Sequence, residues 1–243
     1  MENYEPGMSF GEDAAEIYDD GPRGDESATV AFLEALAHGG PALELAIGTG
    51  RIALPLAARG IGVDGIDISP AMVAKLREKP GGDQLSVTMG NFADVAVEGS
   101  YPLIFVVFNT LFNLLTQEEQ VRCFENVATH LTDDGSFVVE AFVPTFLTRL
   151  HSDQYVDAES IEVNEVWLDV GRHDPVTQRL DETHVRLTSA GVGLFPIVTR
   201  YAWPSELDLM AKIAGLRLHD RWADWSRAPF DSTSSRHVSV YGR

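Results

Sequence analysis

Between residues 42 and 142, short apolar runs alternate with stretches whose apolar positions recur every three or four residues. The run at 42–47 predicts a buried strand and those at 61–67, 85–91 and 103–108 three more strands, the last of which, "LIFVVF", suits the middle of a parallel sheet. The periodic stretches at 51–59, 70–79 and 116–131 predict helices. Ser69 offers a cap before Pro70, and Thr116-x-x-Glu119 forms a capping box. Asp133-Asp134-Gly135 turns the chain into a fifth strand, "SFVVEAF". Two helices precede this region, at 11–20 and 25–38. In the second, Val30, Leu33, Leu36 and Ala37 share a face, and Gly39-Gly40-Pro41 stops it. Strands alternating with helices predict a doubly wound, mostly parallel α/β sheet.

The period changes after residue 142. "IEVNEVWLDVGR", "QRLDETHVRLT" and "GLFPIVTRYAW" fit strands, separated by turn residues at "HDP" and "SAG". They predict an antiparallel insert of three strands after strand five. A helix follows Pro204 and ends at Gly215, strands are expected at 216–224 and 236–242, and a loop lies between them. The expected division is a helical cap over 1–40, an α/β core over 41–150, the β insert over 151–203, and a final helix and strands over 204–243 that complete a seven-stranded sheet.

The first strand ends in a glycine-rich turn, "ALELAIGTGRIALPL", that opens a helix. Glycines there let a ligand approach the backbone, and the helix N-terminus faces that ligand. Gly48-Thr49-Gly50-Arg51-Ile52-Ala53 satisfies the dinucleotide pattern G-x-G-x-x-G/A. Glu44 to Gly50 nearly satisfies a different one, acid-x-Gly-x-Gly-x-Gly, with Ala46 at the first glycine position. Either cofactor needs a carboxylate for a ribose diol. Asp67, at the end of the second strand, is preferred to Asp64 within it.

Composition narrows the partners. The chain has 243 residues, 18 basic and 37 acidic side chains and a net charge of −19. Basic residues are scattered singly, so no nucleic-acid partner is expected. The single cysteine, Cys123, makes an intramolecular disulfide impossible and a cysteine-ligated metal cluster implausible. No apolar run reaches the ~18 residues of a membrane span, and the acidic N-terminus lacks a secretory pattern. The expectation is a cytoplasmic protein without a membrane partner, acting on a small molecule, with a homodimer as the assembly to consider.

The stretch from Ala42 to Arg77 resembles the first two motifs of class I S-adenosylmethionine-dependent methyltransferases, more narrowly those that tailor sugars, peptides and other natural products, including antibiotics. The likeness extends to "IYDD", "GNFADV", "DDGSFVVEAF", the antiparallel insert and the ending "SSRHVSVYGR". It implies a Rossmann-like fold, S-adenosylmethionine as cofactor with S-adenosylhomocysteine as product, and methyl transfer to an O, N or S atom of a small molecule. By the same likeness, Glu44, Ala46, Gly48, Thr49 and Gly50 form the turn under the methionine part. Asp67 takes the ribose hydroxyls, and Ile68 and Met72 line the adenine. Asn91, followed by Phe92, stands where an acid often binds the adenine amino group. Asn109 and Thr110 pass beside the sulfonium, and Tyr18 lies near the cofactor. Phe112, Asn113, Trp167, Phe195 and Tyr201 are candidates to meet the acceptor.

Two departures stand out. A positive φ at Ala46 would be strained, and Asn91 offers a carbonyl where a charge is usual. The candidate bases are His151, Glu140 and Tyr18, of which His151 is preferred because it follows strand five at the mouth of the sheet. No metal is expected, since methyl displacement needs no Lewis acid. A nicotinamide oxidoreductase, or a silent methyltransferase-like binding protein, is the alternative. The dinucleotide reading leaves Glu44, "GNFADV" and the terminal antiparallel pattern without a role.

Overall fold

The computed structural model describes residues 1, 4–20, 24–94 and 96–243. The end of "GNFADV" and parts of the 1–40 cap therefore lie outside the described residues. The core elements are β1 (Ala42–Leu45), α3 (Ala53–Ala58), β2 (Val63–Asp67), α4 (Pro70–Glu78), β3 (Ser86–Met89), β4 (Tyr101–Val106), α5 (Gln117–His130) and β5 (Leu131–Phe142). Ahead of them lie α1 (Glu12–Ile17) and α2 (Glu26–Ala37). The chain closes with α6 (Pro204–Ile213), β10 (Arg217–Trp222) and β11 (Arg236–Gly242). The seven strands run in the order β10-β11-β5-β4-β1-β2-β3. β11 alone is reversed, antiparallel to both its neighbours, β10 and β5. This is the expected Rossmann-like sheet.

Both faces of the sheet are covered. Leu45, Ile104, Phe124 and Phe137 belong to the apolar layer that includes residues of α5 and α6. Leu33, Leu56, Phe105 and Val238 belong to the layer that includes residues of α2 and α3. Burial on both faces explains why the central strands read as unbroken apolar runs. The strand order reverses at β1, which pairs in parallel with β2 on one side and β4 on the other. In open α/β sheets the crevice at such a reversal, beyond the strands' carboxyl ends, is where ligands bind.

The insert has four strands, not three: β6 (Gln154–Ile161), β7 (Glu165–Asp174), β8 (Arg179–Thr188) and β9 (Gly191–Arg200) in sequential antiparallel order. The missed strand, β6, is an edge strand with mostly exposed residues, Asp157 and Glu159 among them. Polar edges of this kind block unwanted pairing and erase the alternation by which a half-buried strand is recognised. β7 accordingly begins at Glu165, not at Ile161. The root of the insert is tied to the core by a buried guanidinium. Arg200 donates to Gln120 Oε1 at 2.6 Å and to Gln178 Oε1 at 2.7 Å, while Gln120 Nε2 donates to the Leu114 and Arg200 carbonyls. Among the described residues no helix is long and apolar enough to cross a membrane.

Candidate active site

Strand β1 stops at Leu45, two residues earlier than its apolar run, because Ala46 turns into the left-handed region at φ +61°. Gly48 and Gly50 follow at +56° and +77°. The turn is built around one carboxylate. Asp67 Oδ2 accepts the Gly48 N–H and Oδ1 accepts the Ser69 N–H, both at 2.7 Å. Burial pushes the Asp67 carboxyl up from its ordinary range, and the Ser69 and Gly48 amides pull against that. The competing carboxylate, Asp64, accepts the Tyr101 hydroxyl at 2.8 Å instead.

Alanine is an uneasy residue at position 46, since a Cβ in the left-handed region costs roughly 1–2 kcal/mol. Ala46→Gly is therefore expected to leave the fold intact and to stabilise it by up to about 1 kcal/mol, the gain being reduced by the added freedom of the unfolded chain. Urea unfolding checks this; a variant less stable than the parent would mean that the alanine methyl contributes packing that outweighs the strain.

The N-terminal segment is fastened over the turn. Thr49 Oγ1 donates to Asp19 Oδ1 at 2.9 Å, and Lys79 Nζ bridges Asp19 and the Thr49 carbonyl, both at 2.7 Å. Ser69 caps α4 and donates to the Phe10 carbonyl at 2.5 Å. These bonds carry Tyr18 and Phe10 over a pocket whose near wall is Ala46, Gly48, Asp67, Ile68 and Met72. Its far wall is Asn91 and Phe92 together with Thr110, Asn113, Leu114 and Glu119.

Most of the expected cofactor residues thus converge on one pocket. Others support it from behind: Thr49 and Glu44 are buried, and Asn109 Oδ1 accepts the Phe142 N–H at 2.6 Å. The Asn91 carbonyl is already engaged by the Ala93 N–H at 2.9 Å. Phe10, Leu114 and Glu119 join the lining without being among the residues the sequence points to. Glu119 is legible in the sequence only as a capping residue, a bond it does make with the Thr116 N–H; Phe10 carries no local signal.

The acceptor candidates disperse. Asn113 lines the pocket, and Phe112 is fully buried edge-on against Phe142, with ring centroids 4.9 Å apart. Tyr201 is buried at the root of the insert, 3.0 Å from His173 Nε2. Trp167 and Phe195 lie together on the insert at 5.6 Å, with Arg186 over the indole and Glu165 accepting the indole N–H, and neither is among the residues that line the pocket.

Of the candidate bases, His151 is exposed at the surface. Glu140 is buried, its carboxyl pushed up by burial, and both its oxygens are engaged. Tyr18 alone lines the pocket. Among the described residues one trio has metal-ligand composition, Glu159, Asp169 and His184 on the insert. There Asp169, 2.5 Å from His184 Nδ1, holds the imidazole pKa up.

Two buried atoms bear on what the pocket accepts. Asn113 Nδ2, on the far wall, has no hydrogen-bond partner, and neither has Glu44 Oε2, beneath the turn. Burial raises the Glu44 carboxyl well above its ordinary range, opposed by Arg51. Buried polar atoms are rarely left unpaired without a ligand or water to meet them. A Cβ on Gly48 would find only Met72 Cε at 3.5 Å, so the near wall is open toward the pocket. These residues fit a sulfonium nucleoside: a carboxylate for the diol, an orphaned amide donor, and an apolar wall at Met72 and Ile68.

A family model described as a methyltransferase domain matches residues 42–135. The structure of the CcbJ methyltransferase from Streptomyces caelestis superposes with a TM-score of 0.92 at 40% sequence identity, covering 98% of this chain and 99% of that one. The cypemycin N-terminal methyltransferase of a Streptomyces species is 25% identical over 208 residues, 83% of this chain and 82% of its own. CalS10 from Micromonospora echinaspora, an amino pentose methyltransferase solved with S-adenosylmethionine bound, is 20% identical, covers 100% of this chain and 99% of its own, and has a TM-score of 0.69.

Proposed function

Because the chain belongs to the class I S-adenosylmethionine-dependent methyltransferases that act on small natural-product molecules, we propose that its acceptor atom is a nitrogen, in an amine of antibiotic type. The observation that carries this reading is the pocket lining. Among the described residues it holds no imidazole and no ammonium, its two carboxylates, Asp67 and Glu119, are tied to backbone amides, and the Tyr18 phenol is its one other ionisable side chain. An alcohol must lose a proton to become a competent nucleophile and needs a positioned base. An amine already presents a lone pair once it is a free base. The net charge of −19 favours the arrival of a cationic molecule. The N-terminal methyltransferase named above supports nitrogen.

When bound, the cofactor supplies a methyl group on a sulfonium, open to in-line attack. Asp67 and the Gly48 turn would hold its ribose end. Glu44, with its unpartnered oxygen, would favour the ammonium of the methionine part. Phe10 and Tyr18 would cover the pocket, while Thr110 and Asn113 would meet the cofactor from the opposite wall. Alignment of two bound reactants alone can supply up to roughly 7–11 kcal/mol of barrier lowering. In this reading the insert over 151–203 is the acceptor lid and residues 42–110 hold the cofactor.

The experiment supplies methyl-tritiated S-adenosylmethionine with a panel of amino sugars, peptide amines, sugar alcohols, phenols and thiols. Label is expected in the amines. Label confined to hydroxyl or thiol compounds would overturn the nitrogen assignment while leaving the family untouched.

A further inference from the structure

Directly after β4, two consecutive non-glycine residues adopt the left-handed conformation, Phe108 at φ +61° and Asn109 at +62°. L-residues rarely do so singly, and a pair persists only where the surroundings over-determine it. The segment that follows, Thr110–Asn113, supplies Thr110 and Asn113 to the cofactor pocket. What holds the strained pair is largely one residue of β5. Glu140 Oε2 accepts the Phe108 N–H at 2.8 Å, and the Glu140 carbonyl accepts the Asn109 N–H at 3.2 Å. Its other carboxyl oxygen accepts the indole N–H of Trp225 at 3.1 Å, and Trp225 is itself packed edge-on against Phe32. Arg51 lies over the Phe108 ring, 5.0 Å from its centroid. The carboxylate is thus pinned on the side of the sheet away from α5 and α6, and it reaches the turn from beneath.

We propose that Glu140 is a positioning residue: its side-chain carboxylate holds the left-handed Phe108–Asn109 turn and thereby sets Thr110 and Asn113 against the bound cofactor. The bond to Phe108 is the one that matters, because it is made to the first strained residue and does not depend on the backbone ladder of β5. The indole bond has a different job. It occupies the second oxygen. A carboxylate suits the position because two N–H donors converge on it. A primary amide has only one acceptor oxygen and must turn its own N–H groups toward one of those donors.

The inference rests on the cofactor site and is independent of the nitrogen assignment, so its test uses S-adenosylhomocysteine alone. Calorimetric affinity and hydrogen exchange at the Phe108 amide are measured for the full-length parent, Glu140→Gln, Trp225→Phe and the double variant. Glu140→Gln should weaken binding at least fivefold and speed exchange at Phe108 at least tenfold. Trp225→Phe should bind within twofold of the parent. In the double variant the competing indole donor is gone and the amide oxygen can return to Phe108, so binding should be at least threefold tighter than in Glu140→Gln. A purely structural role predicts the reverse, since each substitution removes buried bonds and the double variant would be the weakest. A loss below fivefold in Glu140→Gln, an unchanged Phe108 amide, or a double variant less than threefold tighter than Glu140→Gln overturns the proposal.

Discussion

Asp67→Ala is expected to weaken S-adenosylhomocysteine binding by about 10–100-fold, because hydrogen bonds to a charged group contribute about 1.5–3 kcal/mol each and every ~1.4 kcal/mol is a factor of ten. The carboxylate does two things at once. It receives the Gly48 and Ser69 amides and so shapes the glycine turn and the start of α4. It also lines the pocket where the ribose diol would lie. The alanine variant loses both functions, and two amide donors lose their acceptor. Asp64→Ala is the matching control. It takes the acceptor from the Tyr101 hydroxyl and should lower stability while leaving affinity within about threefold. Calorimetry on the two folded variants decides the matter: parental affinity in Asp67→Ala together with weakened binding in Asp64→Ala would reverse the assignment.

Gly50→Ala is expected to cost about 2–5 kcal/mol of stability, the sum of left-handed strain and overpacking. Gly50 sits at φ +77°, and a Cβ there would lie 2.3 Å from Leu76 Cδ1 and 3.1 Å from Leu54 Cγ. Leu76 is fully buried in the layer shared with α3, so it has little room to withdraw. Against a typical domain stability of about 5–15 kcal/mol, such a loss moves the urea midpoint well beyond experimental scatter. Gly48→Ala provides the contrast. It has a positive φ too, but its Cβ would meet only Met72 Cε at 3.5 Å, so about 1–2 kcal/mol is expected. Equal destabilisation of the two would show that strain alone matters and that the packing of α4 against the turn does not.

The two glycines illustrate how far the residues by themselves reach. Gly48 and Gly50 are legible as a ligand turn, yet nothing in "GTG" distinguishes the one that faces the pocket from the one pressed against Leu76. That difference is made by α4, whose position depends on the whole β-α-β unit. Ala46 is legible as a departure, and its strain follows from its place in the motif. Asp67 and Asp64 are separated in the sequence only by position in the strand, whereas what distinguishes their surroundings, two backbone amides on Asp67 and the Tyr101 hydroxyl on Asp64, is a long-range fact.

By itself the sequence determined the alternating α/β core, its seven strands, the change of architecture after residue 142 and the glycine-rich turn after β1, because each of these is written in local periodicity, capping residues and glycine placement. Tertiary structure alone decided the rest. The polar edge strand Gln154–Ile161 has no buried face to impose a period, so only pairing with β7 reveals it. Tyr201 and Phe112 look like pocket aromatics in a linear reading, but packing buries them at the insert's root and beside Phe142. Glu140 reads as one acid in an apolar strand. Its role depends on Phe108, 32 residues before it, and Trp225, 85 residues after it, because a buried carboxylate is defined by the donors that the fold brings to it.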